Sequence, residues 1–281
     1  MPTQNTLTAI AVAAVLGLAG AASAQDWSKV RIATEGAYPP WNATDSSGAL
    51  VGFEIELARD LCARMDVECE IVAQAWEGII PALQAGKYDA IMAGMAITDE
   101  REQVISFTDS YWTTPARFAV PKDGDLAAGE LPDETLDLTT IDPEDEQAIE
   151  ALRQALDGRT IGVQVATIHQ NFIEEYLGDV VDLRQYDTQE NLDLDLAAGR
   201  VDAALADQAY WQPFLESEAG ANLTLVGPGL SKGIFGRGVG VGLRKEDEDL
   251  RAMFDEAIAA AMEDGTISRI GEQWFGFDAF M

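Results

Sequence analysis

The basic residue Arg101 stands where the sequence predicts the start of a helix. Thr98 is a favourable N-cap, and Asp99 and Glu100 follow in the first turn, so Arg101 becomes the third helical residue. A cation beside the positive end of a helix dipole is unfavourable, and an anion bound nearby would explain its presence. The residues alone leave open a ligand contact, a solvated surface residue, or a residue that pairs with Asp99 or Glu100.

The run before this helix start predicts a strand that is buried on both faces. Residues 89–94 read Asp-Ala-Ile-Met-Ala-Gly, a largely apolar run that ends at a glycine. Because Gly94 has no side chain, another molecule can approach the backbone there. We therefore expect a binding surface to begin at Gly94.

Two stretches of the chain alternate strands and helices in the same order. The apolar patterns predict strands at residues 30–34, 70–73 and 89–94, and again at 160–165, 181–186 and 201–207. The pattern Leu-x-Ala-Gly-basic-x-Asp-Ala-x-x-Ala occurs at residues 83–93 and returns at 196–206, at equivalent places in the two stretches. The sequence therefore predicts two α/β lobes of similar topology.

The carboxyl ends of the predicted strands indicate where a ligand would bind. Open parallel sheets bind ligands outside these ends. Glu35, Trp76 and Gly94 follow the strands of the first lobe. Residues 165–167 and Asp207 occupy the same places in the second lobe. If the two sets of strand ends face each other, the site is a cleft between the lobes.

The chain is strongly acidic. It has 281 residues, of which 49 are acidic and 18 basic, for a net charge of −31. Such a surface repels nucleic acid and attracts cations, so no nucleic-acid partner is expected; adaptation to a salty environment is the alternative reason for the charge. Residues 122–158 contain twelve acidic, two basic and no aromatic residues. We expect this insert to be a surface excursion, helical at 144–156, with cation or partner binding as the alternative.

Residues 1–24 have the features of a signal peptide. They carry no charge, are apolar from residue 9 to 22 and end in Ala-Ser-Ala, which predicts cleavage before Gln25. The apolar run is short for a membrane span, and no cysteine at the cleavage point offers a lipid anchor. We expect a chain that is exported from the cytoplasm and left unanchored.

The two cysteines predict a disulfide. Cys62 and Cys69 are the only cysteines, and the compartment outside the cytoplasm favours their oxidation. Together with the single, distant His169 they make a poor metal site, so neither a metal nor a cofactor is expected. His169 itself is interpreted as a surface residue of a helix predicted at 167–177.

Six stretches of the chain, in this order, resemble one protein family. They are Thr-Glu-Gly-Ala-Tyr-Pro-Pro-Trp at 34–41, Leu-Val-Gly-Phe-Glu-Ile-Glu-Leu-Ala at 50–58, Tyr-Asp-Ala-Ile-Met-Ala at 88–93, Phe-Thr-Asp at 107–109, Gly-Arg-Val-Asp-Ala at 199–203 and Val-Gly-Leu-Arg-Lys-Glu-Asp at 241–247. The chain thereby resembles the periplasmic amino-acid-binding proteins of ABC importers, solute-binding protein family 3. The resemblance is strongest to the lysine/arginine/ornithine-, histidine- and opine-binding members.

The resemblance implies the type II periplasmic binding protein fold. It also implies that the protein is a monomer and is located in the periplasm. Lobe 1 would comprise residues 25–115 and 229–281. Lobe 2 would comprise residues 116–228 and contain the acidic insert.

The resemblance also implies how the backbone of an amino-acid ligand is held. Arg101 would bind the α-carboxylate, helped by the loop and helix N-terminus near Thr167. Asp207 would bind the α-ammonium. These roles account for the unfavourable position of Arg101.

For the ligand side chain, the resemblance implies two aromatic rings and a carboxylate. Tyr38 and Trp76 would sandwich the aliphatic part, and Glu35 would meet a distal cation.

The chain departs from the family at the floor of the site. Members commonly carry Ser where this chain has Ala93, Gly94 and Ala96, so backbone groups must replace hydroxyl contacts. This floor and the long insert are similar to the opine-binding branch, which makes a ligand bulkier than arginine credible.

These observations together predict a binding protein. It would capture a cationic amino acid or a guanidino opine and deliver it to the membrane subunits of an ABC permease. No nucleophile–base pair of the kind used in catalysis is evident, so no enzyme is expected. The alternatives are a dehydratase on the same fold, acting on cyclic amino-acid precursors, and a sensory module that reports to a membrane kinase.

Overall fold

Two β-sheets with helices packed around them form the framework of the protein. The computed structural model describes residues 27–277, so the predicted signal peptide of residues 1–24 lies outside the described residues. The strands are β1 Lys29–Thr34, β2 Ala37–Tyr38, β3 Asn42–Thr44, β4 Leu50–Val51, β5 Glu68–Ala73, β6 Ala90–Ile91, β7 Ser106–Phe107, β8 Ala116–Pro121, β9 Thr135–Asp137, β10 Thr160–Gln164, β11 Asp182–Tyr186, β12 Ala203–Asp207, β13 Leu223–Ser231 and β14 Gly242–Leu243.

The helices fall between these strands and after the last of them. The α-helices are α1 Phe53–Arg64, α2 Ile79–Gln84, α3 Asp99–Glu102, α4 Asp125–Ala128, α5 Pro143–Leu156, α6 Ile168–Phe172, α7 Gln189–Ala197, α8 Gln208–Glu216, α9 Glu248–Glu263 and α10 Thr266–Phe275. Single helical turns span Trp76–Gly78 and Gly233–Phe235, and a π-helical turn, Ile173–Leu177, continues α6. None of the helices within residues 27–277 is both long and apolar enough to cross a bilayer.

The two larger sheets repeat one topology, as the sequence predicts. The first has the order β5-β1-β6-β14-β7 and the second the order β11-β10-β12-β8-β13-β9. In each sheet, the first strand of a β-α-β-α-β unit lies between the second and third and runs parallel to both. The predicted fold class is therefore confirmed. Strands β2, β3 and β4 form a separate small antiparallel sheet.

The repeated sequence pattern is also a repeated structure. The Asp89 carboxylate accepts a hydrogen bond from the Arg31 amide at 3.0 Å, and the Asp202 carboxylate accepts one from the Thr160 amide at 2.8 Å. In both cases a glycine with positive φ, Gly86 or Gly199, lies between the end of the preceding helix and the aspartate. The aspartates thus attach the third strand of each unit to the start of the first.

The acidic insert is more than a surface excursion, so that interpretation was wrong in part. Its strand β9 pairs in parallel with β13 at the edge of the second sheet. Its helix α5 buries an apolar stripe made of Ala148, Ile149, Leu152 and Leu156. The acidic side chains lie mainly on the outer face of a segment that belongs to the second core.

The carboxyl-terminal segment returns to the first sheet. Strand β14 lies between β6 and β7, and α9 and α10 pack against α1. Trp41, Phe53 and Trp112 are fully buried in the core beneath these helices, where their rings pack against one another.

The predicted disulfide is present. Cys62 near the end of α1 is bonded to Cys69 in β5.

Candidate ligand-binding cleft

The carboxyl ends of strands from both larger sheets meet at one cavity. Glu35 follows β1, Trp76 follows β5, Thr167 follows β10 and Asp207 ends β12. All nine residues that the sequence assigns to the ligand line this cavity: Glu35, Tyr38, Trp76, Ala93, Gly94, Ala96, Arg101, Thr167 and Asp207. Residues that the sequence analysis did not assign to it include Gln164, His169, Gln189 and Phe235.

Arg101 brings an uncompensated positive charge to the cavity. Thr98 caps α3 as predicted, since its hydroxyl oxygen accepts from the Arg101 amide at 3.2 Å. The guanidinium donates to the Ala96 carbonyl at 2.9 Å and lies 5.3 Å from the centre of the Trp76 ring. Burial lowers the pKa of Arg101 to about 10, against the opposing effect of Glu100 and Asp207, which still leaves it charged at neutral pH.

The alternative interpretation in which Arg101 pairs with Asp99 or Glu100 is wrong. Among the described residues it forms no ion pair, and Asp99 pairs with Arg237 at 2.9 Å instead. A cation without an ion pair in residues 27–277, held over an aromatic ring at a cavity wall, suits a carboxylate that arrives with a ligand.

Asp207 supplies a carboxylate on the other wall. It accepts from the Tyr38 hydroxyl at 3.0 Å and lies 3.6 Å from the Nε2 atom of His169. Tyr38 is stacked on Tyr210 with ring centres 4.7 Å apart, so one of its faces is covered by protein. Burial, and secondly Asp207, raise the pKa of Tyr38 well above its ordinary value, which keeps its hydroxyl protonated as a donor.

Glu35 is a second carboxylate without a cationic partner among the described residues. Gln164 donates to it at 2.6 Å with Nε2, an atom that also donates to the Asp187 carbonyl at 3.2 Å. Burial raises the pKa of Glu35 to about 7, aided by the charges of Glu190 and Asp187 and opposed by the Gln164 hydrogen bond. A ligand cation beside Glu35 would favour its ionised form and so lower this pKa.

Three hydrogen bonds join the first sheet's loops to the second sheet across the cavity. Besides the Glu35–Gln164 and Tyr38–Asp207 bonds, Trp76 Nε1 donates to the Ala166 carbonyl at 3.2 Å. Glu35, Tyr38 and Trp76 therefore also join the two sides of the cavity.

Glu54 is a buried carboxylate beneath the cleft, and the sequence analysis gave it no role. It accepts from the Gly94 amide at 2.7 and 2.9 Å, from Asn42 Nδ2 at 2.9 Å and from the Tyr111 hydroxyl. Asn42 in turn accepts from the Gly36 amide at 2.7 Å. One carboxylate thereby fixes the loops that carry Gly94 and Glu35.

This network changes what the floor of the cleft can offer. Gly94 adopts a positive φ of 62°, a backbone conformation that favours glycine. Its amide is engaged by Glu54, so this backbone donor is used within the protein. Burial raises the pKa of Glu54 to about 7, against the hydrogen bonds from three donor groups, which favour its ionised form.

His169 is buried, so its interpretation as a surface residue was wrong. It is 6% exposed and its ring lies 6.0 Å from that of Phe235. It stands two residues after the N-cap Thr167, on the face of α6 that lines the cavity. Its place directly behind a predicted strand end was the signal that could have revealed it.

The sequence that forms the cleft and its two sheets matches a known protein family. The model of the bacterial extracellular solute-binding proteins, family 3, matches residues 30–277. The chain belongs to this family. This membership confirms the resemblance that the sequence analysis identified.

Individual solute-binding proteins are similar over most of the chain. The octopine-binding periplasmic protein of Rhizobium meliloti is 42% identical over 97% of this chain and 98% of its own. The L-arginine-binding protein of Pseudomonas aeruginosa is 35% identical over 89% of each. A solved structure of a periplasmic His/Glu/Gln/Arg/opine family-binding protein from Silicibacter pomeroyi, in complex with lysine, is 36% identical, with a TM-score of 0.70 over 89% of this chain and 98% of its own. These relatives are named as binding proteins.

Proposed function

We propose that this solute-binding protein captures a cationic amino acid or a guanidino opine in the cleft and delivers it to the membrane subunits of an ABC permease. The observation that carries the proposal is the charge pattern of one cavity, in which Arg101 faces two carboxylates, Asp207 and Glu35, that lack a cationic partner at hydrogen-bond distance. A zwitterion with a positively charged side chain complements this pattern. The names of the octopine- and arginine-binding relatives support the same class of ligand.

In this proposal each end of the ligand has a protein partner. Arg101 binds the α-carboxylate, helped by backbone near Thr167, and Asp207 binds the α-nitrogen. The side chain extends between Tyr38 and Trp76, and its distal cation meets Glu35. The positions of Ala93, Gly94 and Ala96 contribute shape to the floor.

Capture works by closure of the cleft. The lobes, residues 25–115 with 229–281 and residues 116–228, close around the ligand, and the ligand stabilises the closed form by its higher affinity for that form. The three hydrogen bonds across the cleft belong to the closed form. Export to the periplasm by cleavage before Gln25 and action as a monomer are part of the proposal.

The proposal assigns the protein no catalytic activity. Among residues 27–277, the side chains of Glu35 and Arg101 form hydrogen bonds to Gln164 and to the Ala96 carbonyl and none to a nucleophilic side chain. The carboxylate of Asp207 suits an ammonium-bearing guest. Incubation with prephenate and arogenate tests this point, and product formation from either one would overturn it.

Native mass spectrometry of gently purified, mature protein tests the ligand proposal. We expect a mass excess equal to a cationic amino acid or an opine, which disappears after denaturation and refolding. A retained ligand without any cationic group would contradict the proposed class.

A further inference from the structure

His169 presents a buried polar atom to the cleft for which the protein provides no hydrogen bond. The residue is 6% exposed, and its Nε2 atom has no hydrogen-bond partner within residues 27–277. The nearest carboxylate oxygen, Asp207 Oδ1, lies 3.6 Å away. Buried polar atoms of native proteins almost always have partners, so this atom at a cavity wall indicates a partner that enters with the ligand.

The position of His169 indicates which part of the ligand it meets. Under the proposed function, on which this inference rests, Asp207 accepts a hydrogen bond from the ligand's α-nitrogen. Because His169 is a close neighbour of Asp207, a group that reaches Nε2 must be attached to that nitrogen or lie beside it. Arg101 belongs to α3, on the first sheet's side of the cavity, and is already assigned to the α-carboxylate.

The chemistry of this group follows from what an imidazole can offer. Arg101 and His169 are the two side chains that line the described cavity and can carry a positive charge. A protonated imidazole nitrogen donates to a carboxylate. A carboxyalkyl group on the α-nitrogen replaces one of its three N–H bonds, so the nitrogen still donates to Asp207 while the new carboxylate extends toward His169.

We infer that His169 binds a second ligand carboxylate, carried on the α-nitrogen, and thereby selects N-carboxyalkyl amino acids over the parent amino acids. The competing role for His169 is as an acceptor for the ammonium that both kinds of ligand share. The two roles differ in which ligand a change at His169 affects.

Two variants and two probes distinguish these roles. His169→Phe keeps a ring and removes both nitrogens, whereas His169→Gln keeps an N–H donor of similar reach. The probes are arginine and its N2-(1-carboxyethyl) derivative, measured by isothermal titration calorimetry. Thermal unfolding of each ligand-free variant establishes that it is folded.

We expect the wild type to prefer the carboxyethyl derivative. His169→Phe should weaken that derivative by about tenfold or more and arginine by less than about threefold, with the His169→Gln variant in between. An equal loss for both probes, no loss for either, or a wild-type preference for arginine would overturn the assignment of His169. Failure of both probes to bind the wild type would instead overturn the proposed function, and this inference with it.

Discussion

Arg101 lies in the first turn of α3, where its charge is unfavourable to the helix, and its proposed contact with a ligand carboxylate explains its presence there. The sequence predicted both the N-cap Thr98 and the conflict of a cation in the first turn. The structure places the guanidinium over Trp76 at the cavity wall, without an ion pair among the described residues. The conflict in the helix is therefore a feature of the cleft.

Replacement of Arg101 by alanine should weaken arginine binding by about 2–5 kcal/mol, because a desolvated carboxylate would lose its charged partner. Calorimetry measures the change. The matched control is Arg237→Ala, which removes an exposed cation that pairs with Asp99 and Glu102 on the same helix. The control should stay within about 1 kcal/mol of the wild type. A change below about threefold for Arg101→Ala would remove this residue from the site.

Glu35 predicts a pH dependence of binding. The pKa of Glu35 in the folded protein is about 7, above its ordinary value of 4.5. Protonated Glu35 therefore contributes its full stabilisation of the ligand-free protein below pH 4.5, and this stabilisation is lost as the pH rises to 7. A cationic guest binds the ionised form, so arginine affinity should rise about tenfold between pH 6 and pH 8 as Glu35 ionises. Calorimetry at both values should show this rise in the wild type and a much smaller one in Glu35→Gln. Equal pH slopes in the two proteins would contradict the role of Glu35.

At the scale of elements, the sequence predicted what local pattern determines. The apolar patterns predicted the topology of both β-α-β-α-β units, and the hydrogen bonds of Asp89 and Asp202 show that the repeated sequence pattern makes a repeated contact. The central strand was predicted at residues 89–94 but spans only Ala90–Ile91, because Gly94 turns its amide toward Glu54. That turn depends on a residue 40 positions away, which no local pattern contains.

The packing role of the acidic insert was missed because its many charged residues obscured the helical spacing of its apolar residues. Ala148, Ile149, Leu152 and Leu156 recur at helical spacing and form one buried face. The number of acidic residues favoured a solvated segment, whereas the spacing of the apolar residues indicates a helix that packs against the core.

Glu54→Gln should disturb the cleft from below. The amide nitrogen would meet donors from Gly94, Asn42 or Tyr111, and an unsatisfied buried donor costs about 1–3 kcal/mol of unfolding free energy. Since the network fixes the loops of Glu35 and Gly94, arginine affinity should fall as well. Urea unfolding and calorimetry measure the two effects.

The control for this prediction is Glu56→Gln on the same helix. Glu56 is partly exposed and accepts from Gln273 at 3.1 Å. The Glu56→Gln variant should change the free energy of unfolding by less than about 0.5 kcal/mol. If Glu54→Gln behaves like this control, Glu54 does not position the cleft.

The disulfide belongs to the first sheet's scaffold. Its short loop, with a sequence separation of 7, should contribute about 2 kcal/mol by restricting the unfolded chain. The Cys62→Ala/Cys69→Ala variant should lose that amount in urea unfolding while arginine affinity stays near that of the wild type, since neither cysteine lines the cleft. Intact mass of denatured protein with and without reduction, after alkylation, should show two thiols only after reduction. Free alkylation without reduction would contradict the bond.

For the whole molecule, the site exists because two similar sheets present their strand ends to one cavity. The nine assigned residues could be placed there from strand ends and family resemblance. Glu54, Gln164 and His169 could not, because the residues beside them in the structure, Gly94, Glu35 and Asp207, lie far away in sequence. The hydrogen bond from Tyr38 to Asp207 across the cavity likewise depends on how the two sheets meet.

The most direct test of the account is the ranking of ligands by charge. A guanidinium both stacks on aromatic faces and pairs with a carboxylate, so it is favoured between Tyr38 and Trp76 opposite Glu35. At high salt, the attraction between the acidic surface and a cation is screened over a distance of about 8 Å or less, whereas a desolvated contact in the cleft is not screened. A thermal-shift panel under these conditions should rank arginine or its opines above lysine, and both above glutamine and glutamate, with Glu35→Gln narrowing the ranking. If glutamine or glutamate stabilises the wild type more than arginine and every arginine-derived opine, the cationic-ligand account is wrong.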